Sequence, residues 1–447
     1  MRRFFFALTS KRKKVQIALE NKYDKCYNTN DRNGDAHRAH DRFFWRKQMK
    51  SLIEKLETPL RYEADVVVVG GGFAGISAAL SAARAGASVI LLERGFLLGG
   101  LATAGLVTIY LPLCDGRGRQ VSFGIAEELF RLSIEHGAED RYPDAWLDGC
   151  DVEKRREQRY MVQFNPHFLA ISAERLLIEA GVKILYGVSA VSVSKEDDRV
   201  RAIVIEGKSG REAVAVRRSV VDCTGDADVC HMAGAPCRNY GRGNTLAAWY
   251  YADNGESVRL KQLGFTDVDV DRGKAESLTR SRYTGLDTEE LSKMTADSHA
   301  ALERDLLARR AAGEEKLYPT LIASIPQVRM TRGLVGEYVM DVTDDGRYAE
   351  DSVGMFANWR QRGPVYELPF RALWSRRVKN LLAAGRAMSA TDDMWDITRV
   401  IPVCAVSGEA AGLAAAMSDD MSALNVFKLQ ERLESCGVSI HIEKNTN

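Results

Sequence analysis

Three glycines at positions 70, 72 and 75, in "VVVVGGGFAGISAAL", and a glutamate eighteen residues further on at 93 have the types and spacing that bind phosphate and ribose. In such an array Gly70 permits a tight turn, Gly72 lets a pyrophosphate approach the backbone, and Gly75 lets a helix pack on a strand with its first amides facing the phosphates. Glu93 falls where a carboxylate accepts from ribose hydroxyls. The chemistry is the grip on a dinucleotide.

Such residues work only if strand, turn and helix hold them. Val66–Val69 is an unbroken β-branched run, as a strand buried on both faces requires. Ala74–Ala85 predicts a small-residue helix stopped by Gly86, and Ser88–Leu92 a second parallel strand that delivers Glu93. The next stretch, "LERGFLLGGLATAG", adds Gly99 and Gly100 and the small residues Ala102, Thr103 and Ala104, which keep backbone close to something large. A nicotinamide domain proceeds from its acidic residue to another helix and strand. This continuation resembles that of flavoproteins, in which a glycine pair tracks the FAD pyrophosphate and ribityl chain.

Two later segments carry the same resemblance. "AVAVRRSVVDCTGDADVCHMAGAP" is a strand running into Thr224 and Gly225, and "VKNLLAAGRAMSATDDMWDITRVIPVCAVSGEAAGLAAAMS" gives a strand at Leu381–Ala384, a turn at Gly385 and Arg386, and a small-residue helix. With "VRMTRGLVGEYVM" and "YELPFRALWSRRVKNLLAAGR", the chain from about residue 63 to 417 resembles the bacterial FAD-dependent oxidoreductases, within the glutathione-reductase-like flavoprotein superfamily. The resemblance implies an α/β protein, a Rossmann-like FAD-binding domain with an inserted substrate or cap region, and FAD as cofactor. It implies that Gly70, Gly72, Ala74, Gly75, Glu93, Arg94, Gly100 and Ala102 line FAD. Ala190 would approach the adenine through its backbone, Thr224 and Gly225 the pyrophosphate, and Gly385 and Arg386 the ribityl chain. Gly333 departs from the pattern, since relatives often carry a second arginine after Arg332.

Pro402 favours a first helical position, so the Ala-rich helix is expected to begin there with Ile401 as cap. As in the resembled family, Ile401 and Pro402 would face the N1/C2 edge of the flavin. Arg329, Arg332 and Arg399 are candidates to position an anionic or oxygen-rich substrate, with structural ion pairing as the alternative for each. Arg399 has Asp392, Asp393 and Asp396 within reach. No acid or base is singled out.

The expected domains are an N-terminal extension (1–60), the FAD domain (61–236 and 324–417), the substrate or cap region (237–323) and a C-terminal tail (418–447). The charged pattern "DTEELSKMTADSHAALERDLLARRAAGEEK" reads as a helix with a solvated face. The 62 Lys and Arg nearly balance 61 Asp and Glu, a formal +1 that offers no argument for nucleic acid or an anionic membrane. Residues 1–48 hold thirteen basic and five acidic side chains, a local +8, against 49 and 56, or −7, in the remainder. They lack periodicity, and Met49, with a lead helix before the first strand, reads as a natural start; a targeting or basic interaction arm is the alternative. No apolar run is long enough to span a bilayer, and the expectation is a cytoplasmic protein.

Eight cysteines include no C-x-x-C and no C-x-x-x-x-C, so the sequence encodes no local zinc site or redox disulfide. Cys223, Cys230 and Cys237, seven residues apart, read as buried thiols. A pyridine-nucleotide disulfide reductase would need a cysteine pair and a second nucleotide fingerprint, and neither is encoded. The expected function is hydride transfer between FAD and a small organic substrate, coupled to an electron acceptor. The alternative is a non-catalytic flavin- or partner-binding protein on the same scaffold.

Overall fold

The computed structural model describes residues 53–148, 152–264 and 267–442, and the chain divides into two units, Met1–Glu57 and Thr58–Asn447. The Met49 start and the basic arm lie outside the described residues. Residues 53–59 form neither helix nor strand, so the lead helix is not found there.

The second unit is organised by a seven-stranded sheet: β1 (Leu60–Val69), β2 (Val89–Glu93), β3 (Lys183–Tyr186), β4 (Ser189–Glu196), β5 (Arg199–Gly207), β6 (Gly210–Asp222) and β7 (Leu381–Ala383). Their order is β3-β2-β1-β6-β5-β4, with β7 also on β6. The β1, β2, β3, β6 and β7 strands run parallel, in registers such as Val66 opposite Val89, Val67 opposite Val220, and Leu381 opposite Val220. The thirteen-residue β6 serves two partners on one side: its first half pairs antiparallel with β5, its last residues parallel with β7. Val66, Val67 and Val68 are fully buried, as a strand covered on both faces demands. This is the expected Rossmann-like α/β arrangement, and the ends of β1, β2, β6 and β7 deliver Gly70, Glu93, Thr224 and Gly385 to one edge of the sheet.

Four helices matter most: α1 (Phe73–Arg84), α2 (Pro166–Glu179), α3 (Thr288–Ala311) and α4 (Ile401–Met417). The α4 helix is apolar on every side because it is buried on every side; only Cys404 and Met417 are less than fully covered. It crosses α1 in backbone contact, since a Cβ built on Gly408 would sit 2.2 Å from the Ala74 carbonyl oxygen and one on Gly412 would sit 2.1 Å from that of Ala78. Four residues advance along both helices together, so the two run in the same direction. Among the described residues no single helix is long and apolar enough to cross a membrane.

Residues 237–323 hold a three-stranded antiparallel sheet of Tyr250–Asp253, Val258–Lys261 and Tyr318–Ile322. The α3 helix belongs to this segment, starts on an Asp287 cap that accepts from the Glu290 amide, and buries only Met294, Ala301 and Leu302. Its charged remainder faces outward. Cys223 and Cys230 are buried as expected, but Cys237 is only half-buried, because it opens a short two-stranded ribbon, Cys237–Asn239 on Arg332–Leu334. The chain beyond 417 carries a helix, Val426–Ser435, whose Leu429 and Leu433 are fully buried.

One buried charge in this core titrates unusually. Glu409 on α4 is 3% exposed and accepts from the Ile125 amide at 2.8 Å. Burial, helped by Glu128, pushes its carboxyl up to about 8. The folded state therefore holds a proton that the unfolded chain releases near the ordinary glutamate range, so Glu409 costs stability increasingly as pH rises from about 4.5 towards 8. Glu409→Gln is expected to match the parent melting temperature near pH 5 and exceed it at pH 8; a parallel pair of pH–melting curves would contradict this.

Candidate functional site

The loop between β1 and α1 has the space the sequence predicts. Gly70 adopts φ +103°, and a Cβ there would meet the Cys223 carbonyl oxygen at 2.4 Å. A Cβ on Gly75 would lie 1.7 Å from the Gly70 carbonyl oxygen, so only glycine lets helix and turn close. Gly72, by contrast, faces open space with nothing within 4 Å. It caps α1 without a side-chain hydrogen bond, and the first turn carries no acid, which leaves the helix amides available to an anion.

The second glycine pair lies directly on the first loop. Gly99, at φ +101°, donates its amide to the Gly71 carbonyl at 2.8 Å, and Gly72 and Gly99 form an isolated parallel bridge. Gly100–Ala102 then makes one tight turn, with Ala102 buried. Both loops thus line one continuous backbone surface.

Glu93 ends β2, and its carboxylate accepts from the Gly71 amide at 2.7 Å and the Gly95 amide at 2.6 Å. The side chain therefore also splints the two loops, with lone pairs remaining on each oxygen for hydroxyl donors. The chain entering β4 is tied alongside, by the Val188 amide to the Glu93 carbonyl and the Gly187 amide to the Gly95 carbonyl, each 3.1 Å. That brings Ala190, on β4, to the same end. Arg94 is exposed, and its charge reaches the carboxylates of Asp226 and Asp228.

On the other side, buried Asp222 shapes the turn after β6 by accepting from the Thr224 amide and hydroxyl and from the Cys230 amide. Arg386 braces this turn: it donates to the Gly225 carbonyl (2.7 Å), the Asp226 carboxylate (2.7 Å) and the Val328 carbonyl (2.9 Å). Its guanidinium is engaged within the protein, which leaves the Gly385–Arg386 backbone as the part able to follow a cofactor. Gly385 itself touches α1, since a Cβ would meet that of Ala74 at 2.9 Å.

The α4 helix starts one residue earlier than expected. Val400 is its cap, Ile401 its first residue and Pro402 its second. Proline tolerates either first-turn position because its missing N–H would be unpaired anyway, so Pro402 did not fix the boundary. This terminus also has no side-chain cap and no acid in its first turn. With Ala74 beside Gly408, the start of α4 lies about six residues, or roughly 9 Å, upstream of that of α1 on their shared N-to-C direction. Two unneutralised positive helix ends are thereby staggered on one line.

The candidate arginines separate clearly. Arg332 donates to the Asp226 carbonyl and pairs with Asp228 at 2.6 Å. Burial, aided by Asp226 and Asp222, pushes the Asp228 carboxyl up to about 6. Arg399 pairs with Asp396 at 2.6 Å, and Arg360 shares that carboxylate, so ion pairing rather than an open approach describes Arg399. Burial raises the Asp396 carboxyl, but the two arginines outweigh it and hold it low. Arg329 is 5% exposed, and its Nη1 has no hydrogen-bond partner.

The sequence reading missed a polar cluster where residues 237–323 meet the chain beyond the second glycine pair. Tyr251 donates to Glu139 at 2.6 Å and lies 3.3 Å from the Thr108 hydroxyl, while Gln327 donates to the Gly105 carbonyl and the Ser324 amide to that of Ala104. Its members come from four distant segments with no motif among them, so no spacing signals it.

Residues 65–278 and 252–433 match the family described as FAD dependent oxidoreductase. The thiamine thiazole synthase of Archaeoglobus fulgidus is 28% identical over 181 residues, covering 38% of this chain and 60% of that protein. The urocanate reductase of Eggerthella lenta is 48% identical over 56 residues, 12% of this chain and 9% of its own. Both matches thus span less than two thirds of the relative. Among solved structures, a geranylgeranyl bacteriochlorophyll reductase-like protein from Thermoplasma acidophilum is 15% identical with a TM-score of 0.45, over 84% of this chain and 83% of that one.

Two outcomes follow from this geometry. Glu93→Ala, which removes both the splint and the ribose acceptor, should weaken FAD retention in equilibrium dialysis by about tenfold or more, with Glu93→Gln intermediate. Arg399→Ala should lower the melting temperature by leaving Asp396 only Arg360, while the two-electron flavin potential stays within about 15 mV of the parent. A guanidinium facing the ring would move it further.

Proposed function

The chain belongs to the FAD dependent oxidoreductase family, and from that premise we propose that it transfers a hydride between bound FAD and a small organic substrate that enters beneath residues 237–323. The observation that carries this reading is the pair of parallel, uncapped helix N-termini, α1 and α4, staggered along one backbone-lined surface. A dinucleotide with a pyrophosphate at one point and an electron-accepting ring further along fits that stagger.

In this reading the Gly70–Gly75 loop and the α1 amides hold the pyrophosphate, joined by Thr224 and Gly225. Glu93 holds the ribose, the backbone at Ala190 borders the adenine, and Gly100, Ala102 and Gly385 follow the ribityl chain. Bound FAD would supply a ring that accepts or releases two electrons as a hydride at N5. The first turn of α4, at Ile401 and Pro402, offers its partial positive charge to the ring edge where electrons accumulate. Residues 324–327, tied to Ala104 and Gly105, place the inserted segment over the chain that leaves the cofactor surface, where it excludes water and positions substrate. Tyr251, buried beside Glu139 and Thr108, is the hydroxyl placed to orient a substrate oxygen there.

The purified protein should be yellow and release FAD on denaturation. Under anaerobic conditions, at least one donor from a panel of small alcohols, amines and hydroxy acids should bleach the flavin. A protein that retains FAD yet is bleached by no donor and reoxidised by no acceptor would favour the non-catalytic alternative.

A further inference from the structure

Four arginines lie between the cofactor surface and the inserted segment, and three of them are neutralised in place: Arg332 by Asp228, Arg386 by Asp226, and Arg399 by Asp396. Arg329 is different. Among the described residues no carboxylate oxygen comes within the 4.0 Å of an ion pair with its guanidinium, and Nη1 is buried with no partner. Its backbone cannot move away to correct this. The Arg329 and Met330 amides both donate to Asn244 at 2.9 Å, and Asn244 donates back to the Met330 carbonyl at 2.7 Å. On the other side Arg386 holds the Val328 carbonyl and the Gly105 carbonyl holds Gln327. The backbone that carries Arg329 is thus pinned at the seam between the cofactor half and the inserted segment.

A buried guanidinium without a counter-ion is among the most expensive arrangements in a protein interior, and arginine keeps its proton where lysine would give it up. Burial, with repulsion from Arg399, pulls Arg329 down to about 10 against the longer-range attraction of Asp267, Asp396 and Asp269, which leaves it charged at neutral pH. Asp267 is itself fully buried: one of its oxygens is unpaired, and the other accepts from the Thr245 amide and lies 3.9 Å from the Arg282 guanidinium. Arg329 is therefore a buried cation with no carboxylate in direct contact among the described residues.

We propose that Arg329 is the anion-recognition residue beneath the inserted segment and that the substrate carries a carboxylate that pairs with its guanidinium. This rests on the oxidoreductase reading and names the substrate class for it. Paired or bidentate contact with a carboxylate would fix the substrate's orientation under the inserted segment, which the three neutralised arginines are not free to do.

The test uses the FAD-loaded full chain. Acetate, succinate and benzoate are each titrated beside acetamide, succinamide and benzamide, followed by flavin absorbance and equilibrium dialysis. At least one carboxylate should bind about tenfold or more tightly than its amide, with that preference lost in Arg329→Met and partly kept in Arg329→Lys. Without any carboxylate, Arg329→Met should melt at or above the parent temperature, because methionine removes an unpaired buried charge. Equal binding of acids and amides, or a preference that survives in Arg329→Met, would overturn the assignment. So would a lower melting temperature of the carboxylate-free Arg329→Met protein, which would mark Arg329 as a structural partner of Asp267. Turnover of a donor with no carboxylate preference overturns this inference and leaves the hydride-transfer reading intact. Carboxylate binding at Arg329 in a protein that no donor reduces does the reverse.

Discussion

The closest constraint in this protein is the contact of α1 with α4 through the faces of Gly408 and Gly412, where any side chain would run into the carbonyls of Ala74 and Ala78. Two helices this close move as one body, and interiors packed at such density do not deform gradually. The contact sets the stagger of the two helix starts and therefore the distance between the two positive helix ends. It also carries Gly385 onto Ala74, which brings β7 and its turn against the loop that follows β1. A protein that must hold a long, rigid, two-ended cofactor needs such a fixed separation more than it needs strength at either end.

Electrostatics around that frame follow a second pattern. Acids cluster where the chain itself must be held: Asp222 shapes the turn after β6, Asp226 holds Arg386, and Asp396 sits between Arg360 and Arg399. They are absent from the first turns of α1 and α4, where a carboxylate would compete with an incoming anion. Near that frame, Arg329 is a buried cation with no carboxylate within ion-pair distance among the described residues.

Much of the cofactor half was legible in the sequence because its requirements are local. The β1 strand, the turn at Gly70, the α1 helix and Glu93 form one short segment, so backbone freedom, strand burial and spacing are all read along the chain. Thr224 and Gly385 were found through the resemblance, each following an apolar strand as in the resembled family. The start of α4 was misplaced by one residue because a first-turn proline fits two positions and nothing nearby chooses between them.

What the sequence could not decide was which charges meet. Arg329, Arg332 and Arg399 are indistinguishable as residues; Arg399 finds Asp396 three residues away, but the pairing of Arg332 with Asp228 is chosen by how distant segments converge. The same holds for Tyr251, Glu139 and Thr108, which share no local signal. The role of Glu93 as a splint between Gly71 and Gly95 also emerges only when two loops are stacked. By itself the sequence determined a dinucleotide grip and the strand-turn-helix that makes it, since these depend on spacing and backbone freedom over a few residues, while FAD came from the resemblance to flavoproteins. Tertiary structure alone decided which arginine is left without a counter-ion, because ion pairing depends on distances across chain segments more than a hundred residues apart, as between Arg332 and Asp228.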